Sequence, residues 1–283
     1  MRTMALLDGT QLPVIGQGTW RLGERREMRA AEVAALRAGV EAGMTVIDTA
    51  EMYANGGAER VVGEAIRGLK RESLFLVSKV YPHNACRGRI EKSLDDTLSR
   101  MGIDYLDLYL LHWRGGVALS HTVECMERLK STGKIKRWGV SNFDTEDIEE
   151  LLSLPCGTNC VANQVLYHVA SRGIEYDLLP LMRRRGVKLM AYSPLAQAGN
   201  LKRGILAHPV LEEVAKRHNT TAAAVMLSFV TRGGDTLAIP RTGSSVHALQ
   251  NAQAGDLVLH EADLQAIEEA FPAPRHKVPL DIS

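Results

Sequence analysis

The chain has almost no excess charge of either sign: 34 Lys+Arg stand against 33 Asp+Glu in 283 residues, a net of +1. So even a balance offers no electrostatic footprint for nucleic acid or an anionic membrane surface, and partners that need one are not expected. Cysteine is scarce too. Cys86, Cys125, Cys156 and Cys160 form no CxxC pair and are too few for a disulfide framework, which points to reduced thiols in a cytoplasmic protein. No nearby histidine completes a metal set around Cys156 and Cys160, so no metal is expected. Long apolar runs are missing as well. The stretch MRTMALLDGTQLPV lacks a signal-peptide apolar core, and no segment approaches the ~20 uncharged apolar residues of a membrane span. Nor does any linker, repeat or low-complexity stretch divide the chain. Residues 1–283 read as a single domain, with 45% hydrophobic content to fill one large core.

What is present is alternation. Short runs at residues 17–20, 45–49, 74–80, 105–111, 135–140, 161–165, 187–192 and 236–239 are predicted strands. Several are apolar on successive residues ("LFLV", "LYLL", "KLMAY"), as in strands covered on both faces of a parallel sheet. Amphipathic segments with recognisable ends lie between them. Val33, Leu36 and Val40 share a face that closes at Gly43, and Val123, Met126 and Leu129 do the same before Gly133. "DTEDIEELL" (144–152) opens with acids suited to a helix N-terminus, and "TTAAAVMLSFV" and "ADLQAIEEAF" have the same helical period. Strand–helix units repeating every ~30 residues predict an α/β fold, a (β/α)8 TIM barrel. The Asp8–Gly9 pair between apolar runs predicts an N-terminal β-hairpin capping the bottom of that barrel. The rival, a doubly wound sheet, would show G-x-G-x-x-G between strand and helix. "GQGTWRLG" displaces the third glycine and opens no helix after Gly18.

In such a barrel the C-terminal strand ends converge on one mouth. Asp48 closes "TVI", Tyr53 follows in the next loop, Lys79 follows "FLVS" and His112 follows "YLDLYLL". Singly, each has a plain structural explanation: a cap, a half-buried ring, a surface charge, a satisfied core histidine. Together, on adjacent strands at equivalent depth, they make a site. Asp48 and Lys79 both sit at the edge of a buried layer, where charges need partners. An ammonium beside a phenol favours the phenolate and is expected to lower its pKa from near 10. Tyr53 then reads as a general acid, Lys79 as its activator, Asp48 as the group aiming Lys79, and His112 as the donor that orients a carbonyl. With no nucleophile elbow and no zinc cluster, the carbon must receive its electrons from elsewhere, most simply as hydride from a nicotinamide.

The motifs "GQGTW" (16–20), "VIDTAEMYANGGAERVVGEAI" (46–66), "LVSKVYP" (76–82), "YLDLYLLHW" (105–113), "GKIKRWGVSNF" (133–143), "NQVLYH" (163–168), "MAYSPLAQAG" (190–199) and "IPRTGSSVHALQNAQA" (239–254) follow one another in the chain. In that order the sequence closely resembles the aldo-keto reductase superfamily over essentially its whole length. Its wording is most similar to the bacterial branch of methylglyoxal and small-aldehyde reductases. The resemblance implies NADPH-dependent reduction of small carbonyls such as methylglyoxal, short aldehydes or aldoses, with Tyr53 as proton donor beside Lys79, Asp48 and His112. It implies that Ser141, Asn142 and Gln164 hold the nicotinamide carboxamide and that Tyr192 stacks on the ring. Thr19 joins the cofactor-binding set, and Ser193, Pro194 and Leu195 begin the loop across the pyrophosphate. Trp20, Met52, Tyr81 and Trp113 line up with the walls of the substrate pocket.

The chain departs from the family pattern after "IP", where lysine and serine are common. Arg241 and Thr242 stand there, His247 occupies the place of an arginine that clasps the 2′-phosphate, and Gln250 replaces a glutamate while Asn251 is retained. Arg241 still supplies a phosphate-matching fork, so NADPH is expected over NADH, with discrimination loosened at His247. "AQAGNLKRG" (196–204) is short and lacks a pyrophosphate-strapping acid. A short loop after His112 and a short C-terminal tail predict an open, shallow pocket. The expected partner is a small-molecule carbonyl, and the expected state a monomer or weak oligomer. Two other readings remain: a barrel aldolase with Lys79 as Schiff base, and a nucleotide-binding sensor with little turnover.

Overall fold

Strands β1 (Thr3–Ala5) and β2 (Gln11–Pro13) pair antiparallel around the Asp8–Gly9 turn. Gly9 takes φ +85°, a conformation glycine adopts without steric penalty, and Thr10 N–H donates to Asp8 Oδ1 at 3.0 Å. The structure, a computed structural model, describes residues 1–196 and 204–282. Its main sheet comprises β3 (Gln17–Gly18), β4 (Val46–Asp48), β5 (Phe75–Val80), β6 (Leu108–Leu111), β7 (Trp138–Ser141), β8 (Cys160–Leu166), β9 (Lys188–Tyr192) and β10 (Thr236–Ala238), hydrogen-bonded in chain order. Every neighbouring pair is parallel. The helices are α1 (Arg29–Glu41), α2 (Gly57–Ile66), α3 (Arg89–Met101), α4 (Leu119–Ser131), α5 (Thr145–Ser153), α6 (Leu178–Arg185), α7 (Pro209–Arg217), α8 (Ala222–Val230), α9 (Ser245–Ala254) and α10 (Glu261–Ala270).

The sheet curls until its edges approach. No ladder joins β3 to β10; the isolated bridges Ile15–Ala238 and Gly18–Arg241 span the seam, with Gly16 N–H donating to Ala238 O at 2.8 Å. Glycine makes this approach possible, because a Cβ on Gly18 would lie 2.8 Å from Ile239 O. The α/β sheet of TIM-barrel type expected from the sequence is therefore present, with a seam held by single bridges. The hairpin lies at the N-terminal ends of the strands. Arg137, just before β7, donates to Asp8 Oδ2 at 2.7 Å, and Leu7 packs over Gly186, two residues before β9.

Most strands are shorter than predicted by a residue or more, and for two of them side chains show why. Of 17–20 only Gln17–Gly18 pairs, because Thr19 turns its hydroxyl onto Asp48 O at 2.9 Å. Of 105–111 only Leu108–Leu111 pairs. Asp107 uses its side chain instead, accepting from Leu76 N–H at 2.9 Å and from Arg71 at 2.7 Å. The helix ends follow the sequence closely. Gly43 and Gly133 take φ +95° and +79°, and Asp144 caps α5 by accepting from Thr145 N–H at 2.7 Å.

Candidate active site

Parallel register brings the polar strand ends to one level. Asp48 closes β4, Lys79 is the penultimate residue of β5, His112 follows β6, Ser141 closes β7 opposite Gln164 of β8, and Tyr192 closes β9. The chain turns sharply beyond several of these positions. Asn142 and Ser193 hold φ +57° and +48°, and Ala54 and Asn55, after Tyr53, hold +50° and +52°. Left-handed backbone costs a non-glycine residue about 1 kcal/mol or more, and strain of this kind gathers where side chains must be aimed.

Lys79 and Asp48 are fully buried and face each other, with Lys79 Nζ donating to Asp48 Oδ1 at 2.6 Å and to Thr49 O at 2.9 Å. The third contact of Lys79 Nζ is the Tyr53 hydroxyl, at 3.3 Å. The His112 ring meets the Tyr53 ring edge-on, centroids 5.7 Å apart. Hydrogen bonds continue around the rim. Gln164 Nε2 donates to Asp48 Oδ2 (2.8 Å), Ser141 Oγ to Gln164 O (2.8 Å), Asn142 Nδ2 to His112 O (3.1 Å), and the Tyr192 hydroxyl to Asn142 Oδ1 (2.9 Å).

Burial alone would lower the Lys79 ammonium, but Asp48 and the Tyr53 oxygen outweigh it and hold its pKa above the ordinary lysine value. Burial raises the Asp48 carboxyl, against the pull of Lys79 and Gln164. For Tyr53 the structure corrects the sequence reading. Burial pushes the phenol up, Lys79 pulls it down, Asp48 pushes it up again, and the net direction is upward. The pKa-lowering cation is present, but desolvation and the carboxylate behind it prevail, so the phenol keeps its proton. His112 is pushed down to about 2, by burial first and then by Lys79, which makes it a neutral imidazole. Its Nδ1 is buried and has no partner among the described residues.

All of these groups except Lys79, which is fully buried outside the lining, border a cavity of about 510 Å³. Asp48, Tyr53 and His112 lie in its wall, as do Trp20, Met52 and Trp113 of the predicted substrate set. Of the predicted cofactor set it takes Thr19, Ser141, Asn142, Gln164, Tyr192, Ser193 and Arg241. Tyr81 stands behind the wall, edge-on to Trp113 at 5.8 Å, because Glu51 accepts its N–H at 2.6 Å and holds it there. Pro194, Leu195, Thr242, His247, Gln250 and Asn251 lie outside the lining. His247 is exposed in the first turn of α9, and Asn251 is buried in the same helix. Most of "AQAGNLKRG" falls on 197–203, outside the described residues.

Four lining residues escaped the sequence reading: Gly18, Arg114, Ile239 and Ile282. Arg114 directly follows the predicted Trp113, and its charge is shared by Asp147 at 3.1 Å and Glu150 at 2.7 Å. Ile282 had no local signal at all. The tail is short, yet Lys277 bonds Asp177 at 3.1 Å and Asp281 accepts from Ser171, which delivers Ile282 to the mouth. The tail thus forms part of the pocket wall.

Away from the mouth, His218, His260 and Asp263 cluster between α7 and α10. The Asp263 carboxylate is already engaged by His218 at 2.6 Å, Arg217 at 2.7 Å and His260 N–H at 3.0 Å, so it serves as a cap and cross-link. No described helix is long and apolar enough to cross a membrane.

A sequence model of the Aldo/keto reductase family matches residues 14–271. The chain is 53% identical over 271 residues to methylglyoxal reductase YeaE of Escherichia coli (strain K12), covering 96% of this chain and 95% of that one. Glyoxal reductase of Bacillus subtilis (strain 168) is 32% identical over 268 residues, covering 94% and 91%. Among solved structures, an aldo/keto reductase from Klebsiella pneumoniae in complex with NADP and acetate superposes with a TM-score of 0.97 at 50% identity, over 100% of this chain and 99% of that one. A Klebsiella pneumoniae aldo-keto reductase in complex with NADPH gives 0.97 at 49% identity, with both chains fully covered.

Proposed function

This chain belongs to the aldo/keto reductase family and is an oxidoreductase; within that family we propose that it is a cytoplasmic NADPH-dependent reductase of small carbonyls, methylglyoxal and short aldehydes foremost. The single observation that carries this reading is the Asp48–Lys79–Tyr53 chain at 2.6 and 3.3 Å, ending in a cavity that His112 also lines.

The donor set fits the cofactor. Hydroxyl and amide groups of Ser141, Asn142 and Gln164 share the cavity with the Tyr192 ring, and Arg241 lies at its edge. Ser141, Asn142 and Gln164 would hold the carboxamide, Tyr192 the ring, and Arg241 with Thr242 and α9 the 2′-phosphate. When bound, NADPH supplies hydride to the carbonyl carbon. The protein supplies the rest. Neutral His112 donates to the carbonyl oxygen and fixes its orientation. Tyr53 gives its proton to that oxygen as the alcohol forms. Lys79 stabilises the phenolate that remains, and Asp48 keeps Lys79 charged. An alternative Schiff-base role needs a neutral amine, which Asp48 opposes. Trp20, Trp113, Met52 and Ile282 give the substrate side apolar walls suited to small, neutral carbonyls.

The test is NADPH oxidation across methylglyoxal, short aldehydes, aldoses and a bulky polycyclic ketone, with NADH as comparison. Tyr53→Phe is expected to lose kcat by about 10²–10⁴-fold, the range for a lost general acid. Unchanged rates in that variant, or preference for the polycyclic ketone, would sink the proposal.

A further inference from the structure

Tyr53 reaches Lys79 from a turn that is poorly suited to hold it. Three left-handed residues follow it in succession, Ala54, Asn55 and Gly56, at φ +50°, +52° and +76°. Only the last is glycine, so the turn must be held from outside. The groups that could hold it lie on the next helix. Glu59, two residues into α2, is completely buried at 0% exposure although it carries no contact to the cavity. Its Oε1 accepts from Ser78 Oγ at 2.8 Å and from Thr97 Oγ1 at 2.9 Å, and its Oε2 accepts from Arg100 Nε. The Arg100 side chain in turn packs on Gly56, where a Cβ would come within 2.4 Å of its Cδ.

Ser78 immediately precedes Lys79 in β5. Successive side chains of a strand point to opposite faces, so Ser78 turns toward the helices while Lys79 turns toward the mouth. One buried carboxylate therefore grips the strand that carries the amine, and through Arg100 it grips the turn that carries the phenol. A buried carboxylate stripped of one partner is strongly unfavourable, which makes this grip stiff.

We propose that Glu59, acting with Ser78 and Arg100, is the positioning residue that sets the distance between the Tyr53 hydroxyl and Lys79 Nζ, and so the efficiency of proton donation. The inference rests on the proton-donor reading of Tyr53 given above. Glu59 touches neither substrate nor cofactor; it acts through the register of α2 on β5.

Glu59→Gln, Ser78→Ala and Tyr53→Phe are compared with the wild type in NADPH-driven reduction of methylglyoxal. NADPH binding is followed by tryptophan fluorescence, and folding by circular dichroism. Glu59→Gln keeps the shape and one acceptor oxygen but releases Arg100. It is expected to lower kcat about tenfold or more, since displacements below 1 Å at a reacting pair carry losses of that order. KM and the NADPH Kd should stay within about twofold of wild type, and the solvent deuterium isotope effect on kcat should grow as proton transfer slows. Ser78→Ala, which leaves the Glu59–Arg100 pair intact, should show the same pattern with a loss of about threefold. In the Tyr53→Phe background Glu59→Gln should cause no further loss, because the group it positions is gone. Wild-type kcat in both single variants overturns the inference, as does a fall in kcat matched by weaker NADPH binding with an unchanged isotope effect. If Glu59→Gln does not fold, Ser78→Ala decides alone. If Tyr53→Phe keeps the wild-type rate, the proton-donor reading fails and this inference with it, a result distinct from failure of the Glu59 arm.

Discussion

Gln164 Nε2 donates to Asp48 Oδ2 at 2.8 Å across 116 positions of sequence, while Lys79 Nζ occupies the other carboxylate oxygen at 2.6 Å. A residue expected to serve the cofactor thus also fixes the acid that holds the Lys79 ammonium. Asp48 is buried and has both oxygens engaged.

Asp48→Asn removes the counter-charge and leaves a buried ammonium. Breaking a buried pair from one side costs about 3–5 kcal/mol, so urea denaturation should show a loss of that size. Gln164→Leu should destabilise less, by about 1–3 kcal/mol for a charged acceptor losing one bond, and should also raise KM for NADPH. Equal stability of Asp48→Asn and wild type would contradict the paired state described here.

The pH dependence of reduction follows from Tyr53. Its phenol sits above the ordinary value near 10, and the mechanism proposed above needs it protonated. On the alkaline side kcat should therefore stay level through pH 9 and decline only beyond about 10. A decline beginning near pH 8 would mean that Lys79 wins over burial after all.

Stability should depend on pH through His112. Its folded pKa, about 2, lies far below the ordinary histidine value of 6.5. Between those values the unfolded chain binds a proton that the folded chain does not, so stability is complete above pH 6.5 and falls as the pH drops. The slope is about 1.4 kcal/mol per pH unit for one such group. His168, pushed by burial down to about 4 against the pull of Asp281, adds a second contribution over part of the range. Denaturation midpoints from pH 4 to 7 should climb less steeply in His112→Asn than in wild type, and parallel slopes would rule this out.

Cofactor choice can be tested at His247. It is exposed in the first turn of α9, six residues after Arg241. His247→Arg should tighten NADPH by about tenfold, or ~1.4 kcal/mol, while leaving NADH unchanged. Equal gains for both nucleotides would show that the 2′-phosphate is not bound there.

Ile282 is 65% exposed yet lines the cavity. Ile282→Ala should raise KM for apolar aldehydes by a few-fold and leave kcat alone, since it removes about 1–2 kcal/mol of apolar contact at most. A fall in kcat with constant KM would place its role elsewhere.

The strand–helix alternation was legible because parallel strands buried on both faces are apolar on successive residues, as the runs at 108–111 and 74–77 are. Asp48, Tyr53, Lys79 and His112 were legible because a polar group ending such a run is conspicuous, and their convergence followed once the runs were taken as parallel neighbours. Ile282 and Glu59 were not. An isoleucine near the end of a chain and a glutamate in a helix carry no local sign of what they touch, and in both cases the contact is made to residues far away in sequence. The direction of the Tyr53 pKa was also beyond the sequence. Residue types supply the charges, but the balance between an ammonium at 3.3 Å and the loss of solvent depends on distance and burial. The sequence alone therefore determined which elements form and which chemical groups reach the mouth, since both follow from local pattern. Only the tertiary structure decided how those groups are protonated, spaced and walled in, because desolvation and long-range packing exist only once the chain has closed around them.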